Sequence, residues 1–128
     1  MEGAIRRPDA PNHFMVLKPI NKRVVVRLSD GSKLAETMDA MRVLEAGKTL
    51  YDPIVYLPMK DILVPLTKQV NKTHCPLKGD ASYFSLENRH ETLSDLAWSY
   101  EQPFDFSQDI KGLIAFYPNR VIIEEHPL

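Results

Sequence analysis

The densest group of chemically reactive side chains lies over residues 73–86, which include the only cysteine of the chain. His74, Cys75, Lys78 and Asp80 surround a turn that Gly79 makes possible. Such residue types can supply a nucleophile, a general base, an anion ligand and a general acid. We therefore expect this turn to lie at a functional site.

Cys75 is a candidate nucleophile. Pro76 favours extended backbone at Cys75, and neighbours on extended backbone point to opposite faces, so we do not expect His74 to be the base for Cys75. His74 stays a separate catalytic candidate. The alternative for Cys75 is a buried, unreactive thiol, because cysteine is often interior. The other candidate bases are His13, His90 and His126.

Two Lys-Gly pairs precede predicted strands, at Lys78 and at Lys111, and an adjacent aromatic pair follows each of them. If the two strands are related by a local symmetry, both ammonium groups lie at one rim. There they could hold an anion together with free backbone N–H groups. The alternative is a pair of solvated turn lysines.

Acidic residues offer a general base. Asp61 and Glu101 lie at predicted turns or strand ends, where sites are usually built. Together with Asp80 they could bind magnesium, but only if the fold brings the three together. The four histidines lack metal-ligand spacing and the single cysteine lacks a partner, so we expect no metal and no cofactor.

Aromatic residues recur on the predicted strands. Several on one sheet face could line a pocket and stack on a ligand, whereas the alternative is ordinary core packing. Alternation predicts that Leu96, Trp98 and Tyr100 share a face. The aromatic candidates are Tyr56, Tyr83, Trp98, Tyr100, Phe116 and Tyr117.

The elements that must position these residues are predicted to be short strands. Ten prolines against five glycines disfavour a helical bundle. We expect a flexible lead-in over residues 1–12 and a single β domain over 13–128. Residues 38–46 fit a helix or a strand equally well, and residues 121–125 are expected to pair with 111–117 as a hairpin.

Composition limits the function classes. Sixteen basic and seventeen acidic residues give a net charge of −1, which argues against a nucleic-acid partner but permits a small anionic ligand. No segment approaches the roughly 20 apolar residues of a membrane span, so we expect no membrane partner and a cytoplasmic location. The oligomeric state stays open.

Three motifs carry a family resemblance. They are His-Cys-Pro-Leu-Lys-Gly-Asp-Ala-Ser-Tyr-Phe-Ser at 74–85, Ala-Trp-Ser-Tyr-Glu-Gln-Pro at 97–103 and Ile-Lys-Gly-Leu-Ile-Ala-Phe-Tyr at 110–117. With Tyr-Leu-Pro-Met-Lys-Asp at 56–61, they resemble the domain-of-unknown-function 427 family across about residues 20–125. The resemblance implies a mostly-β domain of the β-tent type, with two packed antiparallel sheets and few or no helices.

The resemblance transfers little chemistry. β-Tent relatives such as methionine-R-sulfoxide reductases and yippee- and cereblon-like domains commonly bind zinc through paired cysteines, which this chain lacks. Family members are sometimes labelled nucleotidyltransferases, but the chain has no Gly-Ser followed by Asp-x-Asp, as classical nucleotidyltransferases show. No catalytic residue is carried across.

The leading hypothesis is a pocket for a small polar or anionic ligand, with Lys78 and Lys111 as anion ligands and Glu101 or Asp61 as base. The first alternative is a non-catalytic module that recognises a protein or peptide through an apolar groove. The second is a nucleotidyltransferase-like enzyme. The expected pocket residues are Tyr56, Asp61, His74, Cys75, Lys78, Tyr83, Trp98, Tyr100, Glu101 and Lys111.

Overall fold

β-Branched and alternating segments, separated by proline and turn residues, fold as short antiparallel strands in the computed structural model, which describes residues 3–128. Between them lie two 3₁₀ helices, Met59–Asp61 and Asp105–Ile110. In that part of the chain no helix has the length and apolar character needed to cross a bilayer. The strands are β1 (Ile5–Arg7), β2 (Ala10–Pro19), β3 (Arg23–Arg27), β4 (Lys33–Thr37), β5 (Met41–Ala46), β6 (Ile54–Pro58), β7 (Thr67–Cys75), β8 (Gly79–Asn88), β9 (Glu91–Ser99), β10 (Leu113–Phe116) and β11 (Ile122–His126).

The strands form two packed sheets, as predicted. Eight strands pair in the order β1-β2-β5-β6-β10-β9-β8-β7, and three pair in the order β11-β3-β4. The small sheet contributes Val24, Val26 and Leu34 to a buried core, and the large sheet contributes Leu57 and Phe116. The prediction of a mostly-β fold with two antiparallel sheets is confirmed.

The large sheet curls until its two edges face each other. Arg7 of β1 and Cys75 of β7 lie at opposite ends of the strand order, yet they line the same depression. Ile5 of β1 likewise joins a hydrophobic cluster with Leu77, which directly follows the Cys75-Pro76 pair at the end of β7. The face turned away from the small sheet is therefore concave, and this second cluster forms its floor.

The ambiguous segment over residues 38–46 contains a strand, β5, and no helix. β5 lies between β2 and β6, so its backbone groups are paired on both sides. Val43 is buried on the concave side. Pairing with two neighbours outweighs the helix propensity of its Met, Arg, Leu and Glu residues, which amounts to a few tenths of a kcal/mol per residue.

Two predictions concern connections. The lead-in expected over residues 1–12 carries β1 and the start of β2 over residues 5–12, while residues 1 and 2 lie outside the described range. The expected hairpin of 111–117 with 121–125 does not form, because β11 pairs with β3 in the small sheet. The turn around Pro118 therefore connects the two sheets instead of closing a hairpin.

Candidate functional site

The concave face of the large sheet holds a cleft of about 440 Å³. All five tyrosines of the chain, its only tryptophan and its only cysteine line this cleft. We call it the tyrosine cleft. Its walls are Glu45, Tyr51, Asp52, Ile54, Tyr56, Cys75, Lys78, Tyr83, Trp98, Tyr100 and Tyr117.

A single row across neighbouring strands positions three of these aromatic side chains. Tyr83 of β8 is opposite Trp98 of β9, Trp98 is opposite Ala115 of β10, and Ala115 is opposite Tyr56 of β6. Residues opposite each other in paired strands project to the same face. Because the residue between Trp98 and Tyr56 is a fully buried alanine, the two large rings can meet over it.

The aromatic rings contact each other as well as the cleft. Nε1 of Trp98 donates a hydrogen bond of 3.2 Å to the hydroxyl of Tyr56, and their rings meet edge to face at 6.2 Å. Tyr117 packs on the other side of Trp98, with ring centroids 4.5 Å apart. These contacts hold the indole in place at the wall of the cleft.

A buried ion pair supplies charge at one end of the cleft. Lys78 is 5% exposed, and its Nζ forms an ion pair with Oε1 of Glu45. Nε2 of His13 donates to the other carboxylate oxygen at 2.8 Å. Burial on its own would raise the pKa of Glu45, but Lys78 and His13 outweigh it and hold that pKa below its usual range.

Tyr100 presents a phenol that the protein leaves without a partner. It is 9% exposed and lines the cleft, and Nζ of Lys78 lies 5.6 Å from its ring centre. No hydrogen bond from a described residue contributes to the pKa shift of its hydroxyl, which burial dominates. Burial raises its pKa well above the usual value, so the group is a neutral donor at physiological pH.

Two further clefts share walls with the tyrosine cleft. The basic side cleft includes Arg7, His13, Lys48 and His74, and it meets the tyrosine cleft at Glu45, Tyr51 and Cys75. The outer cleft meets it at Tyr83 and Tyr117 and continues over Asn71, Thr73, Asp95, Asn119 and Arg120. The concave face thus carries three adjoining clefts, of which the middle one is aromatic and the outer two are more polar.

Six of the predicted site residues meet in the tyrosine cleft: Tyr56, Cys75, Lys78, Tyr83, Trp98 and Tyr100. The expected shared face of Leu96, Trp98 and Tyr100 is wrong for Leu96, which packs in the core between the sheets. Asp95 has a positive φ of 52°, which interrupts the alternation just before Leu96.

The other predicted residues lie elsewhere. Lys111 is exposed at its turn and does not line the tyrosine cleft. The lysines of the two Lys-Gly pairs therefore lie in different environments. Glu101 lines a separate polar cleft, where its Oε1 lies 2.6 Å from Nζ of Lys68 as an ion pair without hydrogen-bond alignment. Lys68 and burial act in opposite directions on the pKa of Glu101, and the lowering by Lys68 is larger.

Asp61 and His74 also lie outside the tyrosine cleft. Asp61 accepts a hydrogen bond of 2.6 Å from Thr37, and exposed His74 is paired with Asp80 at 2.8 Å. Asp80 shares a cleft with Glu101, but Asp61 does not, so the three carboxylates required by the nucleotidyltransferase hypothesis do not converge. Between residues 3 and 128 no three His, Cys, Asp or Glu side chains are grouped as a metal site would require.

Sequence reasoning named His13 only as a possible base for Cys75 and did not place Glu45 in the pocket. They lie diagonally across the β2–β5 pair, in which Met15 is opposite Glu45. The alternation of β2 carries a signal, because His13, Met15 and Leu17 share its concave face. Glu45 offered no such signal while residues 38–46 could be read as a helix.

A family comparison identifies the chain more closely than its chemistry does. The family described as domain of unknown function (DUF427) matches residues 16–126, which is most of the chain. The comparison with curated proteins finds no match.

Proposed function

We propose that this chain, which belongs to the DUF427 family, binds a small planar polar molecule in the tyrosine cleft. The observation that carries the proposal is the convergence of all five tyrosines, the only tryptophan and the Lys78–Glu45 ion pair on one cleft. These residues are spread along the chain from Glu45 to Tyr117, and the fold gathers them in one cleft.

Shape and lining both favour a flat ligand. The volume of about 440 Å³ falls within the range of ligand sites, which is roughly 300–1,000 Å³. Trp98 is held by its contacts with Tyr56 and Tyr117, so a ring entering the cleft would pack against fixed aromatic surfaces.

The polar groups favour an uncharged ligand that both donates and accepts hydrogen bonds. The phenol of Tyr100 is free to donate, and the Lys78–Glu45 pair offers a donor next to an acceptor. A free anion is less well suited, because it would have to displace Glu45 from Lys78, and Asp52 adds a further negative charge to the wall.

Any reaction in this cleft would use residues other than Glu101 and Asp61. Glu45 and His13 form a hydrogen-bonded pair at its edge, and Cys75 is the only nucleophilic thiol of the chain. Glu45 would be the general base and His13 its proton relay.

Trp98 provides the test, because the only tryptophan lies in the proposed site. We would titrate the protein with phenol, uracil, adenine and nicotinamide, following tryptophan fluorescence and thermal stability together. Dissociation constants on the order of millimolar are expected for molecules this small. A probe present at 100 times its dissociation constant should add about 2.7 kcal/mol to the free energy of unfolding.

Two matched variants decide where binding occurs. Tyr100→Phe removes a hydroxyl with no protein partner, so it should weaken binding about 5–10-fold without loss of stability. Glu101→Gln alters the separate cleft and should leave affinity unchanged. Binding that is lost in Glu101→Gln and kept in Tyr100→Phe would move the site to the other cleft. No response to any probe would count against the proposal.

A module that recognises a protein or peptide is the second candidate. It requires a contiguous apolar surface. Apart from the sequence neighbours Leu50 and Tyr51, the exposed apolar side chains lie on separate secondary-structure elements and loops, so no contiguous apolar surface among residues 3–128 supports this candidate. They are Met38, Leu50, Tyr51, Leu63, Val70, Phe106, Ile122 and Leu128.

A further inference from the structure

The outer cleft adjoins the tyrosine cleft, because Tyr83 and Tyr117 line both and form the wall that the two clefts share. It has the same volume, about 440 Å³, but a different chemistry. A ligand that fills only the tyrosine cleft would end at these two rings. The walls beyond them are polar, which indicates that the ligand has a second part.

The side chains of the outer cleft suit a sugar ring. Asn71, Thr73, Asp95, Asn119 and Arg120 offer hydrogen-bond donors and acceptors, while Tyr83 and Tyr117 offer aromatic surface. A sugar presents hydroxyl groups around its edge and C–H groups on its faces. Edge hydroxyls would bond to the amides and the carboxylate, and a C–H face would pack on a tyrosine ring.

Hydrogen bonds to a neighbouring side chain fix the conformation of Asp95. Gln69 donates to Oδ1 of Asp95 at 2.7 Å and accepts from the Asp95 backbone N–H at 2.7 Å. This two-way bond supports the positive φ of Asp95, a conformation that is uncommon outside glycine. Gln69 and Asn71 both use Oδ1, which leaves Oδ2 directed to other partners. A backbone outlier with such support is often found at a binding site.

The charge balance favours a neutral sugar over a phosphate. Arg120 is the only cation in the outer cleft, and it donates to the backbone carbonyl of Ser94. The carboxylate of Asp95 balances its charge. A phosphate would therefore meet an anion and a cation that is already engaged, whereas hydroxyl groups would find partners of both kinds.

We propose that the ligand is a glycoside of a planar ring, with the ring in the tyrosine cleft and the sugar in the outer cleft. This inference rests on the proposed function and adds the chemical class. Two sources share this chemistry: aryl O-glycosides and nucleosides. Whether the cleft binds aryl O-glycosides or nucleosides depends on the hydrogen-bonding groups at the edge of the ring that faces Tyr100 and the Lys78–Glu45 pair.

The experiment compares each ring with and without its sugar, by ligand-observed NMR and by Trp98 fluorescence. The pairs are phenol with phenyl β-D-glucoside and phenyl β-D-galactoside, uracil with uridine, and adenine with adenosine. In at least one pair the glycoside should bind about 10-fold more tightly than its ring, because each added hydrogen bond is worth about 5–10-fold. The pair that responds identifies the source.

Asn119→Ala tests the outer cleft directly, because Asn119 lies on an exposed turn whose truncation should not affect folding. It should remove about 5–10-fold of the advantage of the glycoside and leave ring binding unchanged. Asn21→Ala, on an exposed loop that does not line this cleft, is the matched control and should change neither.

The outcomes separate the two proposals. If rings and glycosides bind equally and Asn119→Ala has no effect, the sugar site is refuted and the tyrosine cleft stands as a site for the ring. If a 5′-phosphate on uridine or adenosine improves binding, the outer cleft selects an anion and the neutral-sugar inference is wrong. If neither rings nor glycosides bind, both proposals fail together.

Discussion

Replacement of Lys78 by methionine should be among the most destabilising single changes in the cleft. The Lys78 side chain is 7% exposed and that of Glu45 is 17% exposed, so the variant leaves a largely buried carboxylate without its cation. Removal of one partner from a buried ion pair costs about 3–5 kcal/mol. Glu45 keeps His13 and some contact with the open cleft, so we expect about 2–4 kcal/mol.

Urea denaturation of the wild type, Lys78→Met, Glu45→Leu and the double variant measures this cost. The double variant removes both charges, so it should recover at least half of the stability that Lys78→Met loses. The expected loss corresponds to a fall in Tm of about 10 °C for a chain of this size. Wild-type stability in Lys78→Met, or a double variant whose loss equals the sum of the two single losses, would refute the buried pair.

The pH dependence of stability gives an independent check on the direction of the pKa shift of Glu45. The pKa of Glu45 is lowered in the folded state, so its contribution is present above its unfolded value of 4.5 and is lost as the pH falls through the folded value. In Lys78→Met the lowering effect of Lys78 is absent, so burial raises the pKa of Glu45. The variant can then protonate Glu45 on acidification, so the stability gap to the wild type should narrow as the pH falls toward 4.5.

Three further predictions concern the geometry and titration of the cleft. Gly79→Ala should destabilise by more than about 1 kcal/mol in urea denaturation, because φ is +112° there and a Cβ would lie 3.3 Å from the Gln102 carbonyl oxygen; wild-type stability would contradict the backbone geometry next to Lys78. Ala115→Leu should push apart the Trp98 and Tyr56 rings, which meet over this fully buried alanine, costing about 1–3 kcal/mol in urea denaturation and weakening the fluorescence response to ring probes; wild-type stability and an unchanged response would contradict this packing. Burial raises the pKa of Tyr117 to about 12 and also raises the pKa values of Tyr56 and Tyr100, so three of the five tyrosines should resist ionisation at pH 10 in an alkaline absorbance titration. Since the raised pKa values stabilise the fold below pH 10, the free energy of unfolding should fall as the pH rises above 10. If all five tyrosines titrate together near pH 10, they are exposed and the described burial is wrong.

Local sequence determined most of the strands. The β-branched run of β3, the Asp30-Gly31 turn and β4 appear as predicted, because hairpin formation depends on residues close together in the chain. The segment over residues 38–46 could not be assigned in this way. Its strand state depends on β2 and β6 as partners, and β2 is more than twenty positions away in the sequence.

The candidate site was partly predictable for the same reason. Tyr56, Tyr83 and Trp98 could be recognised as strand aromatics, and alternation limits each to one of two faces. Glu101 and Asp61 were equally plausible by residue type and turn position, but they point into other environments. A residue type states which chemistry is available, whereas its environment decides whether that chemistry faces a ligand.

The sequence by itself determined the mostly-β class, the family and the residue types available for binding. Tertiary structure decided which of them meet. The pairing of β11 with β3 and the curling of the large sheet bring β1 and β7 together and place Glu45 against Lys78. These contacts depend on packing between distant segments, and the short-range preferences that specify a strand or turn carry no information about the partner on which it packs.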